Sequence, residues 1–263
     1  MLSVRCILAR SKASYRKCDV KEAAMSNSKK ASTTQSNNAD GLSQAPYKYN
    51  MLGVLTGDIS NSQTFSNDEL NHILDALKIQ LSKYASQYGG NFDIYRGDAF
   101  QLAVTQPQHC MQIAIGIRLA LKALPLSADV RVSAAIGEAQ FRQQEVKIGT
   151  GEAFVLSGRG LDTIKPQYIA FSCQNEQLEN KTKLLTRFAD AHISGLTQIQ
   201  SQTVLAYLEA SDKSHENIAT ILNKNRSNVS RILNASNYKL VAEYLSYMEE
   251  EIASWQQSSD AEK

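Results

Sequence analysis

No run of about 18 consecutive apolar residues occurs in this 263-residue sequence, so it offers no segment of the length a bilayer-crossing helix requires. Cysteine is scarce. Cys6, Cys18, Cys110 and Cys173 stand apart with no CxxC spacing, which indicates neither a zinc site nor a disulfide framework and points to a reducing cytoplasm as the simplest location. His72, His109, His192 and His215 share no metal-ligand spacing. An excess of one charge sign is also missing: the formal net charge is +2, too small for the global balance alone to argue for nucleic acid. Gly149, Thr150 and Gly151 form a short Gly-rich turn where free N–H groups could hold an anion. It lacks the Lys and Ser/Thr continuation of a P-loop.

What is present divides the chain. With 263 residues and 43% hydrophobic content, there is room for two domains, or for one domain with an appended module. Residues 1–50 are rich in Ser, Asn, Lys and Ala and show almost no aliphatic periodicity after Leu8, so they are expected to form a disordered leader. Arg5 breaks the opening apolar stretch and argues against a secretory signal.

Over residues 51–175 the pattern alternates between strands and helices. Residues 52–56 read as a strand ended by Gly57 and Asp58. Residues 67–88 read as a helix capped by Ser66, and residues 92–96 and 99–104 as a hairpin turning at Gly97 and Asp98. A helix over 108–124 and an alternating strand over 130–136 complete the order strand, helix, strand, strand, helix, strand. That order predicts an α+β, ferredoxin-like (βαββαβ) unit. In such a sheet the strands bearing Asp58 and Asp98 are neighbours, so the two carboxylates are expected to meet. Close carboxylates repel, and a divalent metal (Mg or Mn) bound with phosphate oxygens would offset the repulsion. Ser60 after the first strand, Arg96 beside Asp98, and Thr150 in the Gly-rich turn are the candidates for phosphate contact.

The C-terminal part has another periodicity. Between His215 and Leu233, Ile218, Ala219, Ile221 and Leu222 make the inner face of one short helix, and Val229, Ile232 and Leu233 that of the next. Asn223, Lys224 and Asn225 separate them, with Ser214 and Asn225 as expected caps. This is helix-turn-helix spacing in an all-α domain over residues 196–257, preceded by a connector helix over 176–195 and followed by a tail over 258–263. Lys224, Arg226, Ser227, Asn228, Ser230 and Arg231 are the candidate DNA-binding residues, being of the types that contact phosphates and base edges. A homodimer is expected, because such modules usually read paired half-sites.

Residues 51–162 resemble the catalytic domain of class III nucleotide cyclases, through TGDIS at 56–60, RGDAFQ at 96–101, DVRVSAAIGEAQF at 129–141 and GEAFVLSGRGLD at 151–162. The whole chain, with LTQIQSQTVLAYL at 196–208 leading into the C-terminal helices, is similar to the SatD-like family of bacterial proteins. The cyclase resemblance implies that Asp58 and Asp98 are metal aspartates and that Arg159 is the catalytic arginine stabilising charge on a transferring phosphate. It also implies gaps. Val155 stands where an asparagine is expected, and Phe92 and Ile148 fall where base-selecting residues belong. Metal coordination is thereby expected to be retained and purine selection lost. The expected function is a DNA-binding regulator whose cyclase-like domain binds a divalent metal with a nucleotide or phosphate ligand. The alternative is a divergent metal-dependent nucleotide cyclase or phosphoryl-transfer enzyme with accessory helices.

Overall fold

The computed structural model describes residues 50–142 and 145–261. The leader expected over residues 1–50 lies outside them apart from Asn50. The fold is α+β. Its strands are β1 (Asn50–Ile59), β2 (Gly90–Tyr95), β3 (Ala99–Val104), β4 (Val130–Arg142), β5 (Glu145–Gly151) and β6 (Ile169–Cys173). The helices that join or follow them are α1 (Asn67–Gln87), α2 (Cys110–Lys122), α3 (Glu152–Thr163), α4 (Glu176–Ser194), α5 (Gln198–Glu209), α6 (His215–Leu222), α7 (Arg226–Ala235) and α8 (Tyr238–Ala261).

The sheet runs in the order β2-β3-β1-β4-β5, with β6 added parallel to β4 and every other neighbour antiparallel. β1 is therefore central, and its pairing on both sides explains why it outlasts the stop expected at Gly57 and Asp58. Gly57 pairs with Phe100 on one side and Val132 on the other, and Asp58 with Ala99 and Arg131. Gly57 serves close packing here, since a Cβ at that position would lie 2.6 Å from the Phe100 ring and the Arg131 carbonyl oxygen. The Gly-rich stretch at 149–151 belongs to β5, and Gly151, at φ 116°, directly precedes α3.

Side chains alternate across each strand, and this assigns the two faces. Leu55 and Ile59 of β1, Phe100 and Leu102 of β3, and Val132 and Ile136 of β4 pack against Ile73, Leu77 and Leu81 of α1 and Ile113 and Ile117 of α2. The opposite face carries Leu52, Val54 and Ala139, packed with Ala153 of α3. On that face, continuing toward the end of β1, the Thr56 and Ser157 hydroxyls share a buried 2.9 Å hydrogen bond. Asp58 falls on the α3 side of the sheet.

The main core does not stop at the sheet. It continues through Val204 and Leu205 of α5, Ile218 of α6, Val229 and Leu233 of α7, and Val241 and Met248 of α8. Ser66 and Thr197 form capping boxes at the starts of α1 and α5, and Ser214 caps α6 by accepting from the Asn217 N–H. Asn223 ends α6 at φ 52°, ψ 50°, the left-handed conformation Asn tolerates better than other non-glycine residues. Asn225 holds the cap position before α7 in extended conformation, but its side chain makes no capping bond, contrary to expectation.

A charged residue invisible to periodicity joins these parts. Arg118 of α2 is fully buried. It donates from Nε and Nη2 to the two oxygens of Asp129 at 2.9 and 3.0 Å, from Nη1 to Asp190 Oδ1 of α4 at 2.6 Å, and from Nη2 to Ser194 Oγ at 2.7 Å. The Tyr168 ring lies 4.5 Å from its guanidinium carbon. Burial raises the Asp190 carboxyl above its ordinary range, against the lowering effect of Arg118.

Two outcomes are expected. Arg118→Met should cost about 3–5 kcal/mol in urea unfolding at neutral pH, because it leaves Asp190 without its counter-charge and Asp129 with Lys122 alone. It also removes a lowering influence, so the Asp190 value rises further. A carboxyl raised in the folded state binds its proton more tightly there than in the unfolded chain, so its contribution favours folding increasingly as pH falls through the folded value. Part of the variant's loss should therefore be recovered at mildly acidic pH. Asn223→Val should lower stability by about 1–2 kcal/mol, since a β-branched residue is strained in the left-handed region, whereas Asn223→Gly should be tolerated.

Candidate functional site

Asp58 and Asp98 come together at the end of the central strand. Asp98 is the last residue of the three-residue loop between β2 and β3, and its backbone oxygen accepts from the Ile59 N–H at 3.0 Å. Both aspartates line one cleft of about 590 Å³ with Ser60, Ser62, Arg131 and Lys165. Ser62 Oγ donates to Asp98 Oδ2 at 2.6 Å. Arg131 Nε donates to Asp58 Oδ1 at 2.8 Å, while its Nη2 donates to Asp58 Oδ2. A second cleft of about 640 Å³ shares Ser60, Asn61, Thr64 and Tyr168 with the first and reaches Arg118 and Lys122.

Two non-glycine residues beside the acid pair adopt left-handed backbone: Asn61 at φ 54° and Arg96 at φ 56°. Such conformations cost of order 1–3 kcal/mol and cluster at functional sites. Tyr95 precedes the hairpin loop. Its phenol is pushed above its ordinary value by burial first, with Arg96 opposing and Asp58 reinforcing the shift.

The other expected ligand residues do not all gather here. Ser60 lines the cleft. Arg96 is exposed in the hairpin loop beside Asp98. Thr150 lies on β5, paired with Gln140 of β4, away from the Arg131 end of that strand. Arg159 is exposed on α3 and is not among the residues lining the cleft. The expected divalent metal meets an occupied donor set. Both Asp58 oxygens accept from Arg131, and no group of three or more His, Cys, Asp or Glu side chains among the described residues could hold a metal ion. As they stand, these residues do not fit a divalent cation. The carboxylate repulsion that suggested one is offset at Asp58 by a guanidinium.

Arg131 and Lys165 escaped the sequence reading. A signal for Arg131 existed, as the only charged residue in the alternating strand over 130–136. Lys165 reaches the cleft from the loop after α3, which no local pattern announces.

Among the candidate DNA-binding residues, Arg226, Ser227 and Arg231 are exposed on α7, and Arg231 Nη2 donates to Asn228 Oδ1 at 2.9 Å. Ser230 is turned inward, sharing a 2.7 Å hydrogen bond with His215 Nδ1. Lys224 donates to Gln202 Oε1 at 3.4 Å, and burial lowers its ammonium from the ordinary lysine value. Arg226 lies 3.9 Å from Glu216, both largely exposed. No helix among the described residues is long and apolar enough to cross a membrane.

No protein-family model matches the chain, and no curated protein does. Similar solved structures include nucleotide cyclase domains. A bacterial light-regulated adenylyl cyclase shares 17% identity over 48% of this chain and 44% of that one, with a TM-score of 0.39. The guanylyl cyclase domain of the RhoGC fusion protein from the aquatic fungus Blastocladiella emersonii shares 17% identity over 44% and 75%, with a TM-score of 0.37. The GGEEF domain of a diguanylate cyclase from Vibrio cholerae shares 14% identity over 48% and 85%, with a TM-score of 0.38. The chain thus spans less than half the length of the first of these proteins.

Removing Asp58 should release Arg131 into the cleft. Asp58→Ala should lower stability by about 1–3 kcal/mol in urea unfolding, the range for a hydrogen-bonded charged pair. Asp58→Ala combined with Arg131→Met should recover part of that loss, and a double-mutant cycle measures the coupling.

Proposed function

We propose that the protein binds the phosphates of a nucleotide or a related phosphorylated ligand in the Asp58 and Asp98 cleft of a cyclase-like unit. The observation that carries this reading is the convergence of Asp58, Asp98, Arg131, Lys165 and the Ser60 and Ser62 hydroxyls on one cleft at the end of β1. Cationic donors supply charge for phosphate oxygens and hydroxyls supply directional hydrogen bonds. The carboxylates hold those donors in place, as Asp58 does for Arg131 and Asp98 for Ser62. The sheet order β2-β3-β1-β4 with antiparallel neighbours supports a ferredoxin-like description of the unit.

A second element of the reading concerns α5 to α8, proposed as a helix-turn-helix module over residues 196–257 that contacts DNA. It is favoured by the left-handed Asn223 between α6 and α7 and by the exposed row of Arg226, Ser227 and Arg231. Together the two elements describe a ligand-binding regulator acting as a homodimer. The alternative is a divergent phosphoryl-transfer enzyme. With Arg159 outside the cleft lining, that alternative calls on a second copy of the chain to bring the arginine to the reacting phosphate.

Isothermal titration with ATP and with GTP checks the first element. Wild type should bind one of them, and Arg131→Met combined with Lys165→Met should abolish the binding. Absence of binding by wild type would remove the reading. For the second, anisotropy with a mixed-sequence duplex across a salt series should show Arg226→Ala and Arg231→Ala each reducing the log-log salt slope by about 1. Unchanged slopes would exclude α7 as the DNA-facing helix.

A further inference from the structure

Arg131 has a place in the sheet that its neighbours dictate. It is the register partner of Asp58 across the β1 and β4 pair, on the same face. Their side chains retain only 20% and 23% of their exposure, so the pair is shielded but reachable from the cleft. Two of the guanidinium's donors, on Nε and Nη2, are committed to Asp58. A guanidinium carries five N–H donors in a fixed fork, which leaves donors available at a group that itself lines the cleft. Lys165 adds a second cation to the same lining, and Ser62 already satisfies one oxygen of Asp98. The two carboxylates are thus balanced by two side-chain cations. A divalent ion entering between the aspartates would have to displace a bidentate guanidinium and would meet no third carboxylate, His or Cys among the described residues.

We propose that Arg131 holds the position on Asp58 that a divalent cation would otherwise take, so that the cleft receives phosphate groups as a metal-independent site with Arg131 and Lys165 as its cations. The inference rests on the phosphate-binding reading above and adds how the charge is supplied. Asp58 then serves as a positioning residue: it orients the guanidinium fork and does not ligate a metal. Lysine cannot replace Arg131 fully, because an ammonium is a point donor and cannot span both carboxylate oxygens while still facing the cleft.

The test uses the full chain in two arms. In the first, ATP and GTP are titrated by calorimetry in EDTA and again in excess Mg²⁺. Binding of equal affinity in both, weakened by Arg131→Lys and lost in Arg131→Met, is the expected result. Binding that requires Mg²⁺ overturns the inference and leaves the phosphate-site reading standing. Absence of binding in both conditions overturns both. In the second arm, Mn²⁺ alone is titrated and followed by electron paramagnetic resonance, a readout independent of nucleotide. Arg131→Met should gain Mn²⁺ affinity by about tenfold or more, the factor equivalent to one pK unit of removed opposing charge. Adding Asp58→Asn should abolish the gain. Equal Mn²⁺ affinity in wild type and Arg131→Met overturns the inference. Thermal melts establish that each variant is folded, and Arg131→Gln carries the second arm if Arg131→Met is not.

Discussion

A buried guanidinium organises this molecule. Arg118 sits on α2 with no exposure, yet it binds an aspartate just before β4 and another on α4, with a tyrosine ring from the approach to β6 over its plane. Removing a charge from water is costly and is repaid only when geometry and hydrogen bonding are complete. Four donor contacts to two carboxylates and a hydroxyl meet that requirement. The consequence is directional: α2, the start of β4, and α4 are held at fixed distances from one charged centre. Lys122, one turn further along α2, extends the same tie to the Ser194 carbonyl at 3.3 Å.

That anchoring matters for the cleft and for the helices beyond it. Asp129, which receives Arg118, accepts the Ser60 N–H through its own carbonyl at 2.9 Å, and Ser60 lines the acidic cleft. On the other side, α2 packs against α5, and Glu209 at the end of α5 is paired with Lys83 and accepts from Tyr84 of α1. The sheet and the C-terminal helices therefore share one apolar core and several polar ties. This contiguity gives the ligand proposed for the cleft a physical route to bias the presentation of α7. Coupling of that kind requires two arrangements with different ligand affinities.

Much of this was legible in the sequence because its determinants are local. The hairpin turn at Gly97 and Asp98 marked β2 and β3, alternation marked the first part of β4, capping residues marked the starts of α1 and α6, and the apolar spacing from Ile218 to Leu233 marked both helices of the turn. The meeting of Asp58 and Asp98 followed from strand adjacency, a property of topology that element order already suggested. The features that escaped are those set by tertiary context. β1 continues through Gly57 and Asp58 because both edges are paired, which overrides a local turn signal. Arg131 and Arg118 acquire their roles from partners 73 and 72 residues away respectively, distances over which no periodic pattern carries information. Ser230 looked like a groove-facing side chain by spacing alone, yet His215 draws it inward.

The proposed phosphate cleft and the proposed DNA-contacting face of α7 lie within one packed body, so ligand binding at one is expected to be energetically linked to the other. The most direct measurement is the affinity of the full chain for a labelled duplex at low salt, with and without saturating concentrations of the nucleotide that binds. A shift of about fivefold or more in duplex affinity, the lower range of ordinary allosteric coupling, is expected, with the reciprocal shift in nucleotide affinity when duplex is present. Duplex affinity that is the same at every nucleotide concentration would contradict it.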